Sequence, residues 1–291
     1  MLSKHAIQKT TFARFVHGVD DTGFEVETTF TGEDFIRNFA QYGQIEGKMM
    51  DFVISSFNSD ATMSHVFASG KRVLLSSYFV AYILGLDNLT NTTNFDLEEA
   101  VRSFHNLILL PNCKPVGTSN TFHHSLYVLN KSRKTFDVLE SLNWPTRSST
   151  QITKSEFHKR DVKEIGKRFD VVMQAVYGKE ACKKNNIPCW SKIADKPHYL
   201  MPAEQGVNEC GIYCLKFACT YDGDQCVEHI KNYDDRSEDW KAEYMFRVLF
   251  HEDNRVPLED LPEEIQCLSP TSTLSTQGEE LLLMLTQLPA E

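Results

Sequence analysis

Gln205-Gly206-Val207-Asn208-Glu209-Cys210-Gly211-Ile212-Tyr213-Cys214 is the stretch on which the reading of this chain turns. A polar, glycine-containing loop runs into a cysteine. A small residue follows, and then an apolar run of Ile212, Tyr213, Leu215, Phe217 and Ala218. The pattern predicts a loop entering a buried helix, with Cys210 in its first turn. Backbone N–H groups without intrahelical partners and the helix dipole favour a thiolate there. Gly211 is expected to leave the backbone beside the sulfur uncrowded, so that a carbonyl could approach. Gln205 is close enough in sequence for its amide to point at the same place. The competing reading is a packed core thiol, the reading that suits Cys214 and Cys219 on the same helix.

Upstream of the cysteine, short apolar runs predict strands. Residues 107–110 (Leu-Ile-Leu-Leu) form a strand expected to stop at Pro111. Residues 126–129 form a second, residues 130–134 a turn of hairpin length, and Thr135–Leu139 a third. Three such runs in succession imply an antiparallel meander. A catalytic cysteine needs a base, and the base needs an orienting group. His123 or His124, at the entry to the second strand, is the candidate base. Side chains alternate along a strand, so Glu140 shares a face with Phe136 and Val138. An inward carboxylate must be paired, because burying it alone is costly. The hairpin sets the start of one strand opposite the end of the next, which makes His123 and Glu140 neighbours. Asp137, on the other face near the turn, is expected to be a solvated surface charge.

The remaining elements follow from spacing and punctuation. Residues 1–27 read as an irregular lead-in with room for a hairpin. Thr31-Gly32-Glu33-Asp34 starts a helix that carries Ile36 and Phe39 inward and ends at Gly43. A second helix covers 49–57, and 72–84 is apolar enough to be buried. A short helix is expected at 97–104. A long one over 152–177 faces Val162, Ile165, Phe169, Val172, Met173 and Val176 inward. Residues 179–188 read as a polar connection, and 199–201 as a short strand. An amphipathic helix covers 239–250. Residues 268–278 read as a linker, and 279–288 as a short apolar helix. One domain over 28–262 accounts for this order, with the lead-in before it and residues 263–291 after it.

Composition narrows the function classes. The 291 residues carry a net charge of −10, which argues against nucleic acid as the main partner. A hydrophobic content of 41% suits a folded soluble protein of this length. No apolar run is long enough to suggest a membrane span. The eight cysteines include no CxxC pair, and the start lacks the apolar core of a signal peptide. Reduced thiols, an intracellular setting in nucleus or cytoplasm, and no metal or other cofactor are therefore expected.

Three segments taken together resemble one family. They are Phe122-His123-His124-Ser125-Leu126-Tyr127-Val128-Leu129-Asn130, Phe136-Asp137-Val138-Leu139-Glu140-Ser141-Leu142 and Glu209-Cys210-Gly211-Ile212-Tyr213. They resemble the ubiquitin-like-protein (SUMO/Nedd-type) proteases, most of all the divergent members associated with transposable elements in plants. The resemblance covers roughly residues 30–255. It implies an α+β, papain-like cysteine protease fold: a central, mostly antiparallel sheet flanked by helices. It implies Cys210 as nucleophile, His123 as base, Glu140 as the acid and Gln205 as oxyanion donor. It also implies a monomer whose partners are SUMO- or Nedd-type modifiers and their conjugates, cleaved after a Gly-Gly tail. The chain departs from the pattern in three places. His124 stands where the family has Trp, Glu140 where it has Asp, and Glu204 where it has the oxyanion Gln. The departures leave room for a weak or inactive relative that binds a modifier without cleaving it. A deubiquitinase or acetyltransferase shares the same Cys-His-acid logic.

Overall fold

The computed structural model describes residues 8–19, 25–40, 43–59, 72–77, 80, 107–116, 122–143, 154–184 and 187–266. The helices expected at 97–104 and 279–288 and the linker at 268–278 lie outside these residues, as do 78, 79 and 81–84 of the 72–84 run.

The architecture is α+β. Its centre is a five-stranded sheet of β3 (Arg72–Leu74), β4 (Leu107–Pro115), β5 (Phe122–Asn130), β6 (Thr135–Leu139) and β7 (His198–Leu200), in that spatial order. The β4–β5–β6 meander is antiparallel, as its spacing implies, and β3 and β7 extend it with parallel pairing at either side. Pro111 does not stop β4, which runs on to Pro115. The pairing with β3 reaches only Leu109, so Pro111 faces a strand on one side alone and its missing N–H interrupts no second ladder.

Both faces of the sheet are covered, which is why β5 reads as a continuous apolar run. On one face Leu107, Leu109, Leu126, Val128 and Leu139 join a core with α1 (Gly32–Phe39), α2 (Gly47–Ser59), α6 (Cys210–Thr220) and α7 (Ser237–Leu249). On the other, Ile108, Leu110, Tyr127, Leu129, Phe136 and Val138 pack on α3 (Lys154–Tyr177) and α5 (Trp190–Ile193) through Val162, Ile165, Phe169 and Trp190. Each large apolar side chain so buried contributes about 1.5–3 kcal/mol.

Part of the lead-in forms strands. β1 (Thr11–Val19) and β2 (Glu25–Thr31) form an antiparallel hairpin, and Phe12 and Phe15 enter the α6-side core. Residue 28 therefore falls inside a strand. Thr31 caps α1 with a capping box, its side chain accepting from the Asp34 N–H while the Asp34 carboxylate accepts from the Thr31 N–H. The stretch read as a polar connection holds a short helix, α4 (Lys179–Lys184), none of whose residues is buried. Surface lysines and a first-turn glutamate carry that helix without any apolar stripe to announce it. A last short helix, α8 (Glu263–Gln266), buries Ile265.

Asp137 corrects the sequence reading. It is 1% exposed and accepts hydrogen bonds from the Tyr221 hydroxyl at 2.9 Å and from Asn130 Nδ2 at 3.2 Å. The face expected to meet water is roofed by α6 and the turn that follows it. Both partners hold Oδ2, and His198 Nδ1 lies 3.5 Å from Oδ1.

Candidate active site

Helix α6 begins at Cys210, as the apolar run predicts, and the thiol is 2% exposed. The loop before it is built tightly. Asn208 takes a left-handed conformation (φ 61°), which Asn tolerates better than most residues. The Glu209 carboxylate folds back to accept from the Gly206 N–H at 2.9 Å and the Ser237 hydroxyl at 2.6 Å. Fully buried Lys241 lies 3.5 Å from the same carboxylate. A Cβ on Gly206 would come to 2.4 Å of Glu209 Oε2, so any other residue there would push the carboxylate from this position. The loop is thereby tied to α7, and the start of α6 is fixed.

Gly211 works differently from its expected role. A Cβ there would come to 3.0 Å of Ile45 Cγ2 and 3.3 Å of Met50 Cε. The glycine does not open a path for substrate. It lets α6 press against the 43–46 segment and α2.

One imidazole meets the sulfur and a second lines the same cleft. His124 points to the α6 side of β5 and brings Nδ1 to 3.6 Å of Cys210 Sγ. His123 points to the α3 side, with its ring 6.2 Å from that of Phe157, and its Nε2 is 2.5 Å from Glu140 Oε1. The hairpin thus brings His123 and Glu140 together as its register requires. Burial works against the Cys210 thiolate, but hydrogen bonds to His123 and His124 outweigh it and bring the thiol down to about 5. Burial likewise opposes charge on His123, and Cys210 and Glu140 overcome it, raising the imidazole to about 9. His124, opposed by burial and favoured by Cys113 and Cys210, rises to about 10. Cys113 is its partner across the β4–β5 ladder. Cys214, one turn further along α6, is pushed well up by burial, so the two thiols of one helix differ in reactivity.

Glu140 is held from several sides. Its Oε1 also accepts from the Ser141 and Leu142 N–H groups at 2.8 and 2.9 Å, and its Oε2 from Ser125 Oγ at 3.2 Å and His158 Nε2 at 2.9 Å. Burial alone would raise this carboxyl. His123 and His158 instead keep it well below the usual carboxylate range. Burial lowers His158, which keeps it neutral at pH 7. An ionised carboxylate only accepts, so His158 carries its proton on Nε2 and accepts at Nδ1 from the Tyr127 hydroxyl, 2.8 Å away. Asn112 Nδ2 donates to the same hydroxyl at 3.2 Å.

Gln205 lines the same cleft as Cys210, but its amide is engaged locally. Its Oε1 accepts from Ser141 Oγ at 2.6 Å and its Nε2 donates to the Gly206 carbonyl at 3.2 Å. A different glutamine approaches the sulfur: Gln44 Nε2 lies 3.7 Å from Cys210 Sγ. The cleft has a volume of about 530 Å³, with Gln44, Phe122, His123, Leu142, Gln205 and Val207 among its walls. Sequence reasoning missed Gln44, which stands 166 residues from the cysteine and belongs to no motif. It missed His158 as well, although a signal existed. His158 continues the Val162, Ile165, Phe169 stripe backward at helical spacing, and a histidine in an apolar stripe asks for a buried partner.

No family model matches the chain, and no curated protein matches it. Among solved structures it is similar to the C-terminal Ulp1 protease domain in complex with Smt3, the yeast orthologue of SUMO (16% identity over 82% of this chain and 87% of that one, TM-score 0.42). It is also similar to the SUMO protease Ulp1 with its catalytic cysteine oxidised to a sulfenic acid (14% identity, 84% and 91%, TM-score 0.44). A third similar structure is the Ulp1-like SUMO protease catalytic domain of Chaetomium thermophilum (14% identity, 89% and 90%, TM-score 0.44).

Proposed function

We propose that the protein is a cysteine peptidase that hydrolyses a peptide or isopeptide bond after the Gly-Gly tail of a SUMO-type modifier. One observation carries the chemistry: a thiol at the start of a buried helix lines the same cleft as an imidazole that is itself held by a buried carboxylate. In this reading the Cys210 thiolate attacks the scissile carbonyl carbon. A C–S bond forms, and the carbonyl π pair moves onto oxygen. Collapse restores the carbonyl and breaks the bond to the amine, which takes a proton from cationic His123. A water, deprotonated by the now neutral His123, then attacks the thioester and releases the modifier and the thiolate. Glu140 fixes the ring of His123 and stabilises its charge. Neither step calls for a metal or cofactor. The modifier type comes from the sequence resemblance, which also suggests the nucleus as a site of action.

The test is cleavage of SUMO carrying a C-terminal aminomethylcoumarin, beside the Nedd-type and ubiquitin counterparts. The parent protein releases coumarin from the SUMO reporter, and Cys210→Ala releases none. Equal rates for the parent and Cys210→Ala would sink the proposal. The engaged amide of Gln205 favours a second reading, a modifier-binding protein that does not cleave. A modifier vinyl sulfone that labels Cys210 with no coumarin release would support that one.

A further inference from the structure

We infer that Gln44 is the side-chain oxyanion donor of this site, in the role that the sequence pattern gives to Gln205. The inference rests on the thiol acyl-transfer reading above. Its geometry begins with the amide itself. Gln44 Nε2 donates to the Phe122 carbonyl at 2.6 Å, and this contact fixes which end is nitrogen, because an amide oxygen there would be repelled. One N–H is spent on that carbonyl. The other belongs to the same nitrogen, 3.7 Å from Cys210 Sγ. In the tetrahedral adduct the oxygen sits on the carbon bonded to Sγ, one bond further out, within reach of a donor so placed. The half-buried amide also walls the cleft through which the carbonyl would enter.

The segment that carries Gln44 is held on both sides. The Gln44 N–H donates to the Arg37 carbonyl at 3.1 Å, and the Glu46 N–H to Asn38 Oδ1 at 2.6 Å. Between them Ile45 is buried against the bare backbone of Gly211. A donor fixed before the reaction costs no reorganisation during it, which is what makes such donors effective. Gln205 differs in this respect. Its amide is held between Ser141 Oγ and the Gly206 carbonyl, and among the described residues it is Gln44 Nε2, not Gln205 Nε2, that comes within hydrogen-bond distance of Cys210 Sγ.

The experiment compares Gln44→Ala and Gln205→Ala with the parent on the SUMO coumarin reporter. Gln44→Ala lowers kcat by about 10²- to 10³-fold with KM little changed. Gln205→Ala loses less. Alkylation of Cys210 by iodoacetamide is read in parallel, since displacement at a saturated carbon develops no oxyanion, and it keeps the parent rate in Gln44→Ala. A larger loss in Gln205→Ala than in Gln44→Ala overturns the inference. So does a fall in alkylation that matches the fall in kcat, which would make Gln44 a support for the thiolate alone. A parent that cleaves no reporter overturns the peptidase reading, and acetyl-Gly-glycinal then reads the donor directly. That aldehyde forms a tetrahedral adduct on an activated thiol. Its Kd rises at least tenfold in Gln44→Ala, whereas an unchanged Kd overturns the inference.

Discussion

His123 and His124 are neighbours in sequence, yet β5 sends them to opposite faces and into different company. His123 lies with Glu140, Ser125 and Phe157 on the α3 side, at the wall of the cleft. His124 lies on the α6 side, 1% exposed, between Cys113 and Cys210. Both stabilise the thiolate. Only His123 has a carboxylate to fix its ring and access to the cleft where a leaving amine would arrive. In the proposed reading, holding a charge and moving a proton are thus divided between two imidazoles. The alternation of the strand makes the division.

Four substitutions break or sharpen that contrast. The largest effect is expected for His123→Gln, which removes the proposed proton donor. Reporter turnover falls about 10²- to 10⁴-fold. The same variant keeps much of its iodoacetamide reactivity at pH 7, because His124 still faces the sulfur. If turnover and alkylation collapse together, the two rings do not divide the work. Next comes His124→Asn, expected to move the thiolate the other way. Its alkylation profile shifts toward higher pH, and its turnover falls less than that of His123→Gln. Equal losses in the two variants would make the faces equivalent.

The pH dependence sharpens the same point. Cys210 is lowered to about 5, so its thiolate is present above that value and is lost as pH falls through it. His123 is raised to about 9, so its proton is available below that value and is lost as pH rises through it. Turnover is expected to be bell-shaped between the two limits, while alkylation shows only the acid limb. The same signs govern folding. The raised His123 stabilises the native state below its unfolded value, and that contribution fades toward pH 9. The lowered Cys210 contributes above its own unfolded value, and that contribution fades toward pH 5. Thermal melts across this range check the direction.

Smaller effects are expected further from the sulfur. His158→Phe leaves Glu140 one donor short and the Tyr127 hydroxyl without its acceptor at Nδ1. It costs about 1–3 kcal/mol in urea unfolding and lowers turnover by less than His123→Gln does. Thr31→Ala removes the α1 cap and costs about 1 kcal/mol with no change in alkylation. An effect of Thr31→Ala on the acid limb would mean that α1 reaches the site by more than the position of Gln44.

Local sequence was enough wherever the signal repeats over a few residues. The apolar run after Cys210 specified α6, Thr31 and Asp34 specified the start of α1, and the spacing around the 130–134 turn set β5 against β6. Hairpin register then made Glu140 a neighbour of His123, since both follow from alternation across a short turn. The fate of Asp137 was not written there. Alternation put it on the face away from Glu140 correctly, but what covers that face is α6 and Tyr221, 84 residues away. Gln44 and the true work of Gly211 were hidden for the same reason. Each depends on where α1, α2 and α6 come to rest against one another. Periodicity encodes which side of an element is buried. What it is buried against is settled only when distant elements pack, and that packing chose which glutamine meets the sulfur.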